Sequence, residues 1–130
     1  MDAARISDDE IVYRRIPCAA PWFEDPEQIT TANFKLNRRR GDLGLSVYRA
    51  AMVTPEEALA KANAAADSLV AAANVGDIRA LCNGRGEPLA LDVVAVDDEH
   101  DVGHAEIRGA QLGKLSSAAS GALHGLFKRI

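Results

Sequence analysis

The sequence predicts a single α+β domain over residues 1–130, built as a mainly antiparallel sheet of four or five strands with two helices packed on one face. Three observations lead there. Residues 54–73, TPEEALAKANAAADSLVAAA, join a capping signature to helical spacing. Short β-branched or alternating runs recur at 11–16, 43–48, 89–96 and 104–107. The order of these segments, two strands, a helix, three strands and a helix, suits a sheet covered from one side.

Composition sets the frame for these elements. A chain of 130 residues buries about two thirds of the surface it exposes when unfolded, so no metal or disulfide staple is needed. Apolar residues make up 48% and aromatics only 5%, which leaves alanine, leucine and valine to fill a thin core. A net charge of −4 argues against broad attraction to nucleic acid or an anionic membrane. Cys18 and Cys82 form no CxxC pair and follow no secretory signal, which predicts reduced thiols in a cytoplasmic protein. No apolar run is long enough to span a bilayer, and the acidic start is unlike an export sequence. Abundant alanine, and arginine in excess of lysine, hint at a GC-rich bacterial genome.

Residues 1–10 read as a solvated arm or a short helical turn, with Asp8, Asp9 and Glu10 after Ser7. The run IVYRRI at 11–16 then predicts a strand stopped by Pro17, with Val12, Arg14 and Ile16 on one side and Ile11, Tyr13 and Arg15 on the other. Residues 17–42 hold three of the five prolines and no sustained period, which predicts a long irregular connection carrying Trp22, Phe23 and Phe34. LGLSVY at 43–48 is the second strand.

Thr54, Pro55 and Glu57 start the first helix, whose residues Leu59, Ala62, Ala66, Leu69, Val70 and Ala73 fall in an arc of about 100°. Asn74 and Gly76 supply its stop. Residues 77–82 and 89–96 form a hairpin around Asn83-Gly84-Arg85-Gly86, and LALDVVAV, nearly continuous in apolar residues, is the expected central strand. Leu59, Leu69 and Val70 should then press on Leu91, Val93 or Val94. After an acidic loop and a short strand at 104–107, residues 112–128 predict a last helix, capped by Ser116 or Ser117, with Leu112, Leu115, Ala119, Ala122, Leu123 and Leu126 on one side.

Four groups of residues bear on chemistry. DDEHDVGHAE at 97–106 gathers two of the three histidines among carboxylates, but matches no recognised metal spacing and reads as a solvated turn. Neither a metal nor a cofactor is expected. Arg38, Arg39 and Arg40, with Lys35, form the basic run that would hold phosphate, an acidic partner or nucleic acid, although the net charge makes nucleic acid a poor fit. Ser117, Gly121 and Gly125 stand four apart on the last helix. Two glycines on one helical face suggest a close contact in a homodimer or with a partner, or else a weak terminal helix. No GxSxG elbow, cysteine-protease signature, Walker loop or Rossmann glycine pattern occurs.

The fourth group is Arg14 or Arg15, Ser46 and Glu106, with His104 beside it. Its order resembles that of ADP-ribosyltransferases, a likeness implying that arginine grips the dinucleotide phosphates and glutamate steers transfer. Ser46 nevertheless stands in Leu-Ser-Val rather than Ser-Thr-Ser, and His104 replaces the first acid of a Glu-x-Glu pair. The alternative is an arginine paired to a carboxylate such as Asp92 across the sheet.

Taken together, YRRIP at 13–17, ITTANF at 29–34, LSVY at 45–48 and HAEI at 104–107 resemble a family of small bacterial proteins of unassigned activity. Its members open with Tyr/Trp-Arg-Arg and continue through Ser-Ser-x-x-Phe, Leu-Ser-Val and His-Ala. Thr30 and Thr31 take the place of the serines here. The resemblance implies a bacterial single-domain chain and a shared surface at Arg14, Arg15, Thr30, Thr31, Phe34, Ser46 and His104. The sequence therefore predicts a non-catalytic accessory or adaptor that binds a protein partner. An ADP-ribosyltransferase-like or metal-dependent enzyme is the alternative, and nucleic-acid binding through 35–40 comes after that.

Overall fold

The computed structural model describes residues 6–17, 23–24, 28–29, 31–36, 41–60, 68–96 and 101–130. Its architecture is α+β, an open antiparallel sheet of six strands with three helices. The strands of the main sheet are β1 (Ile11–Pro17), β4 (Leu45–Arg49), β5 (Ser68–Asn74), β6 (Asp92–Ala95), β7 (His104–Arg108) and β8 (Lys128–Arg129). They lie in the order β6-β7-β4-β1-β5-β8, with every pairing antiparallel. A small second sheet pairs β2 (Phe23–Glu24) with β3 (Gln28–Ile29) inside the connection expected to be irregular, and a 3-10 turn follows at Thr31–Phe34. The helices are α1 (Pro55–Ala60), α2 (Val75–Arg79) and α3 (Ser117–Leu126).

The alternation read in the first strand is the one observed. Val12 and Ile16 are fully buried, and their neighbours Tyr13 and Arg15 lie on the other side. The capping box also forms, with Glu57 N–H donating to Thr54 Oγ1 at 3.1 Å and Thr54 N–H to Glu57 Oε1 at 2.9 Å. The single helix expected over 54–73 does not. Residues 68–74 are strand β5, paired with β1 over its whole length from Ile11↔Asn74 to Pro17↔Ser68. Alanine accounts for the difference: its local preference is for helix, and its small side chain lets pairing with β1 override that preference in favour of a strand. Asn74 then begins α2 rather than ending a helix, its Oδ1 accepting from Asp77 N–H at 3.1 Å.

Two more expectations are corrected. Residues 77–82 are not a strand, since α2 runs to Arg79 and the Cys82↔Pro88 bridge is what remains of the hairpin around the turn at 83–86. β6 is an edge strand and β4 and β1 occupy the centre. Ala90, at φ 55°, breaks the apolar run before Asp92.

The main core gathers Val12, Ile16, Leu45, Val47, Val93, Ala105 and Ile107 from the sheet with Val75 and Ile78 of α2 and Ala119, Leu123 and Phe127 from α3 and its end. α2 and α3 share this face, but α2 is not one of the two helices expected there. The expected first helix lies elsewhere: α1 contacts β1 and β5, and Val53, Ala58 and Val70 are buried outside the main cluster, which places α1 on the opposite face from α3, where one shared face was expected. Leu59 is half-buried, Leu69 sits within the core as part of β5, and the stacking of a helical ridge on Leu91, Val93 or Val94 is not formed. α3 is capped by Ser116, whose Oγ accepts from Ala119 N–H at 3.1 Å, and it is fastened by Ser120, whose buried hydroxyl donates to Phe34 O at 2.7 Å.

Candidate functional site

The sheet face opposite α2 and α3 carries Ser46 and Tyr48 of β4 and His104, Glu106 and Arg108 of β7, because each alternates with a core residue. Antiparallel pairing sets Tyr13 opposite Tyr48, Tyr48 opposite His104 and Ser46 opposite Glu106. Arg15, next to the inward-facing Arg14 and Ile16, belongs to the same outer face, and its charge is felt at Tyr48. Among the described residues α1 is the helix that reaches this face, and it does so over β1 and β5. The half over β4 and β7 carries an exposed Ser46.

These side chains are linked. Ser46 Oγ lies 3.0 Å from His104 Nε2. On the other edge of the ring His104 Nδ1 lies 3.9 Å from Asp101 Oδ2, and Tyr48 Oη donates to that same oxygen at 3.2 Å. The rings of Tyr48 and His104 are 5.7 Å apart and tilted by 39°. The turn joining Asp101 to His104 is set by the backbone: His104 N–H donates to Asp101 O at 3.1 Å, and Gly103 adopts φ +85°. A Cβ on Gly103 would also stand 3.0 Å from Val53 Cγ1. Burial, then the charge of Asp101 and its hydrogen bond, push the Tyr48 phenol up to about 12, with Arg15 pulling weakly the other way.

The residues expected to form one surface divide. Arg15, Ser46, His104 and Glu106 share the outer face, where Glu106 Oε1 is held by Arg108 Nε at 2.9 Å. Arg14 turns inward, donating to Asn33 O and Ser46 O at 2.6 Å each, with its guanidinium 6.0 Å from the Phe34 ring centre. Phe34 is fully buried, packed on Phe127 and His124, so its place in the motif is one of folding. Thr31 is exposed at the start of the 3-10 turn. Thr30, Arg38, Arg39 and Arg40 lie outside the described residues, as do Cys18 and most of the acidic loop, while Lys35 and Cys82 are exposed. Asp92 does take an arginine, but the partner is Arg79 of α2 at 2.8 Å. Among the described residues no group of three or more His, Cys, Asp or Glu side chains could hold a metal ion. Ser117, Gly121 and Gly125 are exposed, and a Cβ on either glycine would meet open space.

Tyr48 and Asp101 escaped notice as members of the site. Two signals pointed to them: Tyr48 follows Ser46 by two residues, the period of one strand face, and Asp101 precedes His104 by three across a glycine turn. An apolar cleft of about 290 Å³ lies beside that turn, lined by Met52, Val53, Glu57, Ala60 and Val102. No protein-family model, curated protein or solved structure matches the chain.

Proposed function

We propose that the protein works by binding another protein through the outer face of its sheet, over β4 and β7. One observation supports this above the others: Met52 and Val102, 49% and 50% exposed, adjoin the polar row of Arg15, Ser46, Tyr48 and His104. Apolar anchors beside polar groups able to fix orientation are the usual anatomy of a recognition surface. Arg15 has no hydrogen bond or ion pair among the described residues and is suited to an acidic group on the partner. Affinity capture with the wild-type chain should retrieve a partner that a variant carrying Arg15→Glu and Met52→Asp does not, with light scattering reporting whether that partner is a second copy. A strict monomer that retrieves nothing, or a partner indifferent to both substitutions, would remove the proposal.

A further inference from the structure

Ser46, His104 and Asp101 are arranged as a nucleophile, a base and an orienting carboxylate. The two ring nitrogens of His104 are divided between the other two residues, Nε2 towards Ser46 at 3.0 Å and Nδ1 towards Asp101 at 3.9 Å. A proton on Nδ1, facing the carboxylate, leaves the lone pair of Nε2 to accept from the serine hydroxyl. The second distance exceeds a hydrogen bond, as such links commonly do before a substrate closes the site. Burial is graded in the same sense: the His104 side chain is 16% exposed, whereas Ser46 is exposed. The base is shielded and the hydroxyl is open.

We propose that Ser46 is a nucleophile that accepts the acyl group of an activated ester, with His104 as general base and Asp101 as a positioning residue. Ser46 Oγ bonds to the acyl carbon while its proton passes to Nε2. The carbon–oxygen bond to the alcohol then breaks, and the alcohol leaves with that proton. Water attacks the acyl-serine by the same proton route, releasing the carboxylic acid and restoring the hydroxyl. Arg15 supplies positive charge on this face for the oxyanion formed in each step.

The test needs no partner and so fails separately from the binding proposal. An alkyl fluorophosphonate, from which serine oxygen displaces fluoride, is incubated with the folded chain, and the adduct is timed and mapped by mass spectrometry. One adduct on Ser46 is expected, absent in Ser46→Ala. His104→Gln should slow its formation by about 10²-fold, and Asp101→Asn should slow it with partial recovery in Asp101→Glu. Unfolding the wild-type chain in urea, which separates Ser46 from His104, should slow it too, so the result does not hang on how a variant folds. Absence of an adduct on the wild type, an adduct elsewhere, a loss below about tenfold in His104→Gln, or a rate indifferent to unfolding would each overturn the assignment.

Discussion

Arg79 ties three segments of the chain through one guanidinium. Its Nη1 donates to Asp8 Oδ1 at 2.6 Å and to Ile6 O at 2.7 Å, its Nε to Asp92 Oδ1 at 2.8 Å, and its Nη2 to Val93 O at 3.2 Å. Burial works against its charge, yet the bonds to Asp8 and Asp92 more than offset this and hold it charged more firmly than usual. The two carboxylates are 65% and 54% exposed, so water can replace the arginine there, but the carbonyls of Ile6 and Val93 would lose a half-buried donor. Arg79→Met, which keeps the aliphatic packing, should therefore cost about 2 kcal/mol, read as a lower urea midpoint. Tyr48 gives a second prediction. Its folded value of about 12 lies above the ordinary 10.0, so the folded chain keeps a proton that the unfolded chain gives up. Stability from this source is complete below pH 10 and is lost as the pH climbs towards 12. Phenolate absorbance should show a late-titrating tyrosine that Tyr48→Phe removes, and the variant should lose less stability over that range. At this scale the sequence was partly readable. Strand alternation sets Ser46 and His104 outward and Arg14 inward, whereas the carbonyls of Asn33 and Ser46 that receive Arg14 come within its reach only in the folded chain.

Elements were legible where a few neighbouring residues decide them. The Thr54 and Glu57 box and the Ser116 cap rest on contacts within a few positions, and the first strand is marked by the alternation of its own β-branched residues. Residues 68–74 show the opposite case. Leu69, Ala71 and Ala73 face the main core and Val70 the other side, a period of two that the surrounding alanines had also allowed as a helical arc. The antiparallel partner β1, more than fifty positions away, makes the difference. On α3, Gly121 sits mid-helix with open space where a Cβ would go. Gly121→Ala should stabilise the monomer by about 1 kcal/mol, seen as a higher melting temperature. A dimer that dissociates on the same substitution would instead make the stripe of Ser117, Gly121 and Gly125 a contact surface.

Across the whole molecule the sheet order assigns protection and exposure together. β1 and β4 are flanked by strands on both sides, while β6 and β8 are edges and β8 offers two residues. Amide hydrogen exchange should be slowest in β1 and β4 and fastest in β8, and equal protection across the sheet would contradict that order. The same order puts β7 beside β4, and this adjacency, not any local motif, carries His104 to Ser46. What the sequence determined by itself is the α+β class, the antiparallel character, the caps at Thr54 and Ser116 and the sidedness of the first strand, because short-range sterics and capping bonds act within one or two turns of chain. Tertiary structure alone decided that 68–74 is a strand, that β6 is an edge, that α1 lies across the sheet from α2 and α3, and that Asp101 and Tyr48 join Ser46 and His104. Each of those outcomes turns on pairing between residues far apart in the chain, and in the alanine-rich segment that pairing overrides a local preference that points to helix.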